Sequence, residues 1–177
     1  MAVAQQDRIS AGSGDEERMI ARLRAVRDDP QSLTIAEIEE LVGRTESHRL
    51  RNAAALALAD LKAAGAAERL AALLERPDVA PQSGTLLFAL DELGGWLPLQ
   101  SFVAVLRYGS FEGRSEALQF LDAGRVSASD PDARRTAIGH LAAMVAGPDP
   151  DAAEAAEEAI SILLDRAVRT GSEERPA

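Results

Sequence analysis

Leu50-Arg51-Asn52-Ala53-Ala54-Ala55-Leu56-Ala57-Leu58-Ala59-Asp60-Leu61 is the stretch on which the fold turns. An apolar and a basic residue, Leu50-Arg51, precede two small apolar pairs, Ala54-Ala55 and Ala57-Leu58. The same phase returns twice. Ser83 precedes Leu86-Leu87 and Ala89-Leu90 in a copy that is degenerate at its start, and Gly113-Arg114 precedes Ala117-Leu118 and Phe120-Leu121. The anchors Arg51, Ser83 and Arg114 are 32 and 31 residues apart. A period of that length marks a helical repeat whose members bury their apolar faces by stacking.

The rest of the composition agrees with helices. Of 177 residues 35 are alanine, the strongest helix former, and only six are aromatic. Small side chains also let helix axes approach closely. The net charge of −10 repels phosphate backbones, which sets nucleic acid aside and leaves a basic protein as the fitting partner. With no cysteine, disulfides and thiolate zinc sites are excluded. The opening Met-Ala-Val-Ala-Gln-Gln-Asp has no basic segment leading into an apolar core, and no apolar run reaches the ~20 residues of a membrane span, so a cytoplasmic protein is expected.

Punctuation along the chain predicts nine helices. Residues 1–13 read as a disordered tail, and helix 1 as about Asp15 to Asp28, with Pro30 beyond it. Thr34-Ile35-Ala36-Glu37 is a capping box that opens helix 2, whose apolar face is Ile35, Ile38, Leu41 and Val42 and whose stop is Gly43. Helix 3 is placed at Ser47 to Ala63 with Gly65 closing it, helix 4 at Ala66 to Glu75, and helix 5 at Pro81 to Leu93 before Gly94-Gly95. Leu97 to Tyr108, Phe111 to Ala123, a helix that begins after Asp130-Pro131 and reaches about Ala146, and one from near Asp149-Pro150 to about Arg169 complete the set, and 170–177 read as a second tail. In the last helix Ala156, Ala159, Ile160, Leu163, Leu164 and Val168 are expected inward. Helices 2–3, 4–5, 6–7 and 8–9 then pair as hairpins over 14–169, with helix 1 as an N-terminal cap.

The stretch from Leu50 to Leu61 resembles the second helix of a HEAT-like repeat, and Ala66 to Leu74 resembles the first helix of the next. Asp130 to Ile138 is similar to the family's turn and helix, but it follows Arg114 out of period. The resemblance covers about residues 34–169. It implies an all-α fold, a short right-handed α-solenoid of the armadillo type with about four hairpins plus the capping helix. It says little about activity.

Catalytic and cofactor chemistry finds little support in the residues, and neither a cofactor nor a metal is expected. His48 and His140 lie 92 residues apart on different helices, with no carboxylate pair at ligand spacing. His140 falls at a core-type position. HEAT-like metalloenzymes of the deoxyhypusine hydroxylase kind use His-Glu dipeptides, and this chain has none. HEAT-like DNA glycosylases need a basic groove, whereas the densest arginines here, Arg22, Arg24 and Arg27, are followed by Asp28 and Asp29. The acidic run Asp149, Asp151, Glu154, Glu157 and Glu158 reads as a solvated helix start, or as a landing site for basic side chains.

The expectation is therefore a non-catalytic protein–protein interaction module, a small bacterial adaptor or scaffold. The resemblance implies that second helices line its concave face. On that face Asn52, Leu56, Phe88, Glu92, Glu116, Gln119 and Asp122 are the candidates, joined by the turn aromatics Trp96 and Tyr108. The partner is expected to be a protein or peptide with an apolar segment and basic residues. Two other functions stay open: an acidic immunity or inhibitor protein directed at a basic toxin or enzyme, and a HEAT protein related to bilin lyases or phycobilisomes.

Overall fold

A computed structural model describes residues 2–127 and 131–173, and the side chains of 14–127 and 132–165. Nine α-helices account for most of these residues: α1 Ala2–Ala25, α2 Ile35–Arg44, α3 His48–Asp60, α4 Ala66–Leu73, α5 Gly84–Glu92, α6 Leu99–Tyr108, α7 Phe111–Asp122, α8 Pro131–Val145 and α9 Pro150–Glu173. A short 3₁₀ turn at Ala80–Gln82 precedes α5. The two-residue strands β1 Leu97–Pro98 and β2 Val126–Ser127 pair in parallel. The fold is all-α. The tails expected at 1–13 and 170–177 fall on residues whose side chains lie outside the described part; the backbone of α1 starts at Ala2 and that of α9 ends at Glu173.

The contacts divide the chain into two compact units, Met1–Ala66 and Ala67–Ala177, so the expected domain of 14–169 spans both. In the first unit α3 packs on α1 and α2. Ala53, Ala54, Ala55, Ala57, Leu58 and Ala59 are all buried, as the small residues of the repeat require. The capping box forms: the Thr34 hydroxyl accepts the Glu37 N–H at 3.2 Å, and the Glu37 carboxylate accepts the Thr34 N–H at 2.8 Å. Leu33 and Ile38, the two positions of a hydrophobic staple, are both buried. Leu33 thus takes the inward place expected for Ile35, which is exposed. Gly43 does not stop α2; the helix runs on to Arg44 and ends where Thr45 turns extended.

In the second unit α5 packs on α7 and α7 on α9, while α6 packs on α8. Ser101 on α6 donates to the Ala71 carbonyl of α4 at 2.9 Å. Leu70, Leu74, Leu86, Leu87, Leu90, Phe102, Leu106 and Leu141 form the deepest core. Helix α5 begins later than expected because Pro81 falls in the 3₁₀ turn, and α6 begins at Leu99 because Leu97-Pro98 pairs with Val126-Ser127.

One terminal geometry recurs three times. Leu61, Leu93 and Ala123 are the C-caps of α3, α5 and α7, all in the right-handed region. The next residue, Lys62, Gly94 or Gly124, has positive φ. The residue after that returns its N–H into the helix: Ala63 to the Leu58 carbonyl at 3.0 Å, Gly95 to Leu90 at 2.9 Å and Arg125 to Phe120 at 2.8 Å. These are Schellman caps, which satisfy carbonyls left over at a helix end. Lys62, with φ of 47°, therefore closes α3 in the role expected of Gly65.

The anchors recur as well. Arg51, Ser83 and Arg114 are all buried polar residues. Arg51 donates to the Thr45 carbonyl at the end of α2 at 3.0 Å, and Arg114 Nε to the Leu106 carbonyl near the end of α6 at 2.9 Å. Each arginine ties the first turn of its own helix to the end of the helix before it.

Candidate functional site

Helices α7 and α9 each present a face at helical spacing. Phe111, Ser115, Leu118, Gln119 and Asp122 follow one another on α7, and Asp151, Glu154, Ala155, Glu158 and Ile162 on α9. Where the two helices pack, these rows line a groove of about 790 Å³. Its apolar wall is Phe111, Leu118, Ala155 and Ile162, and Phe111 is 77% exposed. Its charge comes from Asp122, Asp151, Glu154 and Glu158 against one cation, Arg114.

That cation is already engaged. Arg114 Nη2 meets Asp149 Oδ2 at 2.6 Å, while Asp149 Oδ1 accepts the N–H groups of Asp151 and Ala152 at 3.1 and 3.2 Å and so caps α9. The hydrogen bond from Arg114 holds the Asp149 carboxyl below its ordinary value of 3.8; the Ala152 N–H adds to this, and partial desolvation opposes it. The groove thus keeps a strongly negative lining.

The expected site residues are distributed rather than gathered. Gln119 and Asp122 line the acidic groove. Tyr108 instead lines two adjoining hollows between α6 and α8, about 310 and 250 Å³. Phe88, Glu92 and Trp96 are exposed and Glu116 is half-buried, and none of the four lines any of these cavities. Asn52, half-buried, and Leu56, exposed, belong to the first unit.

Two inward assignments are corrected. His140 is exposed, because α8 buries the stripe Ala137, Leu141 and Met144, and His140 stands one position off it. Leu164 is 62% exposed: the inward row of α9 continues through the half-buried Ile162 and Leu163, leaving Leu164 further round the helix. Asp149 acts as the helix start that the acidic run was read to be, capping α9 through the Asp151 and Ala152 N–H groups while it pairs with Arg114. Val168 lies outside the described side chains.

Leu118 and Ile162 are groove walls that sequence reasoning missed, and Phe111, a turn aromatic beside Tyr108, stands with them. Their signal was present as spacing, Phe111 to Leu118 on α7 and Ala155 to Ile162 on α9, but each row is apolar in only part of its length. Among the described residues no group of three His, Cys, Asp or Glu side chains is placed to hold a metal ion, and no helix is long and apolar enough to cross a membrane. Comparison of the chain with protein-family models, with curated proteins and with solved structures finds no match.

Proposed function

We propose that this chain is a non-catalytic binding module of the HEAT-like α-solenoid kind, and that the groove between α7 and α9 takes a basic, amphipathic segment of a partner protein. The carrying observation is the groove itself, whose lining combines the apolar Phe111, Leu118, Ala155 and Ile162 with the carboxylates of Asp122, Asp151, Glu154 and Glu158. A helical segment with one apolar face and flanking lysines or arginines matches it in shape and in charge. The solenoid reading is supported by the thrice-repeated Schellman cap, by the buried anchors at one spacing, and by the serial packing of α5, α7 and α9. In this reading the binding surface lies toward the C-terminal end of the row of second helices, and Gln119 and Asp122 are the members of the expected set that take part.

The test is calorimetric titration with a synthetic helical peptide that carries leucine on one face and lysine on its flanks. Binding that weakens as salt rises, and that is lost when the lysines are replaced by glutamates, supports the reading. Equal affinity for the lysine and glutamate peptides contradicts it.

A further inference from the structure

The face of the second unit formed by α6 and α8 has chemistry of the opposite sign. Its two hollows share Arg107, Tyr108 and His140. The rest of the wall is mainly apolar, with Leu99, Val103 and Ala104 on one side and Ala137 and Met144 on the other. Arg107 lies with its guanidinium carbon 5.4 Å from the centre of the Tyr108 ring. Among the described residues no carboxylate pairs with Arg107, although the chain holds 29 acidic residues against 19 lysines and arginines. Asp149 lines one of the hollows, but its carboxylate is held by Arg114.

We infer that this pair of hollows is a second binding site, for a small monocarboxylate with an apolar body. Arg107 supplies the planar fork that matches a carboxylate, His140 on the facing helix supplies a ring N–H as a further donor, and the Tyr108 ring together with the aliphatic wall receives the body. The volumes suit a ligand of modest size. One negative charge fits better than two, because the fixed carboxylate of Asp149 lines one of the hollows. The site shares no cavity with the acidic groove of α7 and α9, and its fate is independent of that reading.

The field of the whole chain works against such a ligand. A protein of net charge −10 attracts an amphipathic cation and repels an anion. Selectivity for the anion must therefore come from a local site, which makes it diagnostic. The experiment titrates the protein with octanoate, octanol and octylammonium below their micellar or solubility limits. Octanoate is expected to bind at least ~10-fold more tightly than either other probe, a difference of about 1.4 kcal/mol. Arg107→Gln is expected to remove the preference for octanoate over octanol while leaving the helical circular dichroism intact, since Arg107 is exposed. Tyr108→Ala weakens both probes, and Trp96→Ser, which alters an exposed aromatic outside the hollows, changes neither. A preference for octylammonium, or an octanoate affinity untouched by Arg107→Gln, overturns the assignment. So does a peptide with a free C-terminal leucine that binds at least ~10-fold more tightly than octanoate, which would give this surface to a protein terminus.

Discussion

Arg114 and Asp149, 35 residues apart in sequence, meet at 2.6 Å and join three helices at one point. The guanidinium reaches the Leu106 carbonyl near the end of α6 from the first turn of α7, and the carboxylate caps α9. The pair also separates two surfaces, because Arg114 lines the acidic groove and Asp149 lines a hollow on the α6 and α8 side. Removing the arginine leaves the Leu106 carbonyl unpaired where Arg114 had been buried. Arg114→Met is therefore expected to cost about 1.5–3 kcal/mol in urea unfolding, the usual loss for a hydrogen bond to a charged group.

The same contact fixes an acid response. Asp149 has its folded pKa depressed below 3.8, chiefly by the Arg114 hydrogen bond. A carboxylate of this kind stabilises the fold above its unfolded pKa, and that stabilisation is lost as pH falls through the folded value. Melting temperatures followed from about pH 5 to about pH 2.5 should fall less steeply for Asp149→Asn than for the parent chain. A parallel fall in the two proteins contradicts this.

Ser83 and Gly113 form a second coupled pair. Ser83 is fully buried, and its hydroxyl has no hydrogen-bond partner in the protein among the described residues. A Cβ built on Gly113 would lie 2.2 Å from that hydroxyl oxygen but 3.5 Å from the Ser83 Cβ. Gly113→Ala alone should destabilise. With Ser83→Ala in place, the same substitution fits and gains the helix propensity of alanine, about 1 kcal/mol. A double-mutant cycle in urea is expected to return a favourable coupling of about 1 kcal/mol or more. Additive effects would contradict the close approach.

Lys62 occupies the left-handed position that glycine fills in the two later copies. A side chain there is strained, so Lys62→Gly is expected to stabilise the chain by about 0.5–1 kcal/mol despite the greater freedom of glycine when unfolded. Thermal melts of the single variant decide it, and a lower melting temperature would show that the lysine's own interactions outweigh the strain.

Phe88 and Phe102 differ in burial, 52% against 0% exposed. Phe102→Ala should cost about 3–5 kcal/mol as a large cavity. Phe88→Ala should cost less than about 1.5 kcal/mol, nearer to a surface change. Comparable losses would place Phe88 in the core.

Helix number and phase were legible because glycines, prolines and caps punctuate an alanine-rich pattern whose burial has one meaning in every copy. Thr34 to Glu37 formed its box, whereas the burial of Arg51, Ser83 and Arg114 was not legible from their spacing. The misassigned positions lie where periodicity loses its reference. Ile35 sits at the first helical residue, where Leu33 is the one turned inward, and Leu164 sits a step round from the inward row of α9. The groove was harder to read because it depends on which face of α7 meets which face of α9. The acidic row was visible in sequence, but its division between Asp149, which caps, and Asp151, Glu154 and Glu158, which line the groove, follows only from the Arg114 contact.

The most direct measurement is an amide chemical-shift map of the chain titrated with the leucine–lysine peptide, repeated on the Glu154→Gln/Glu158→Gln variant. The account expects shifts concentrated over residues 111–123 and 151–162, and affinity reduced at least ~10-fold in the variant. Shifts centred on Phe88 and Trp96, or an affinity unchanged by the two substitutions, would contradict the assignment of binding to the groove between α7 and α9.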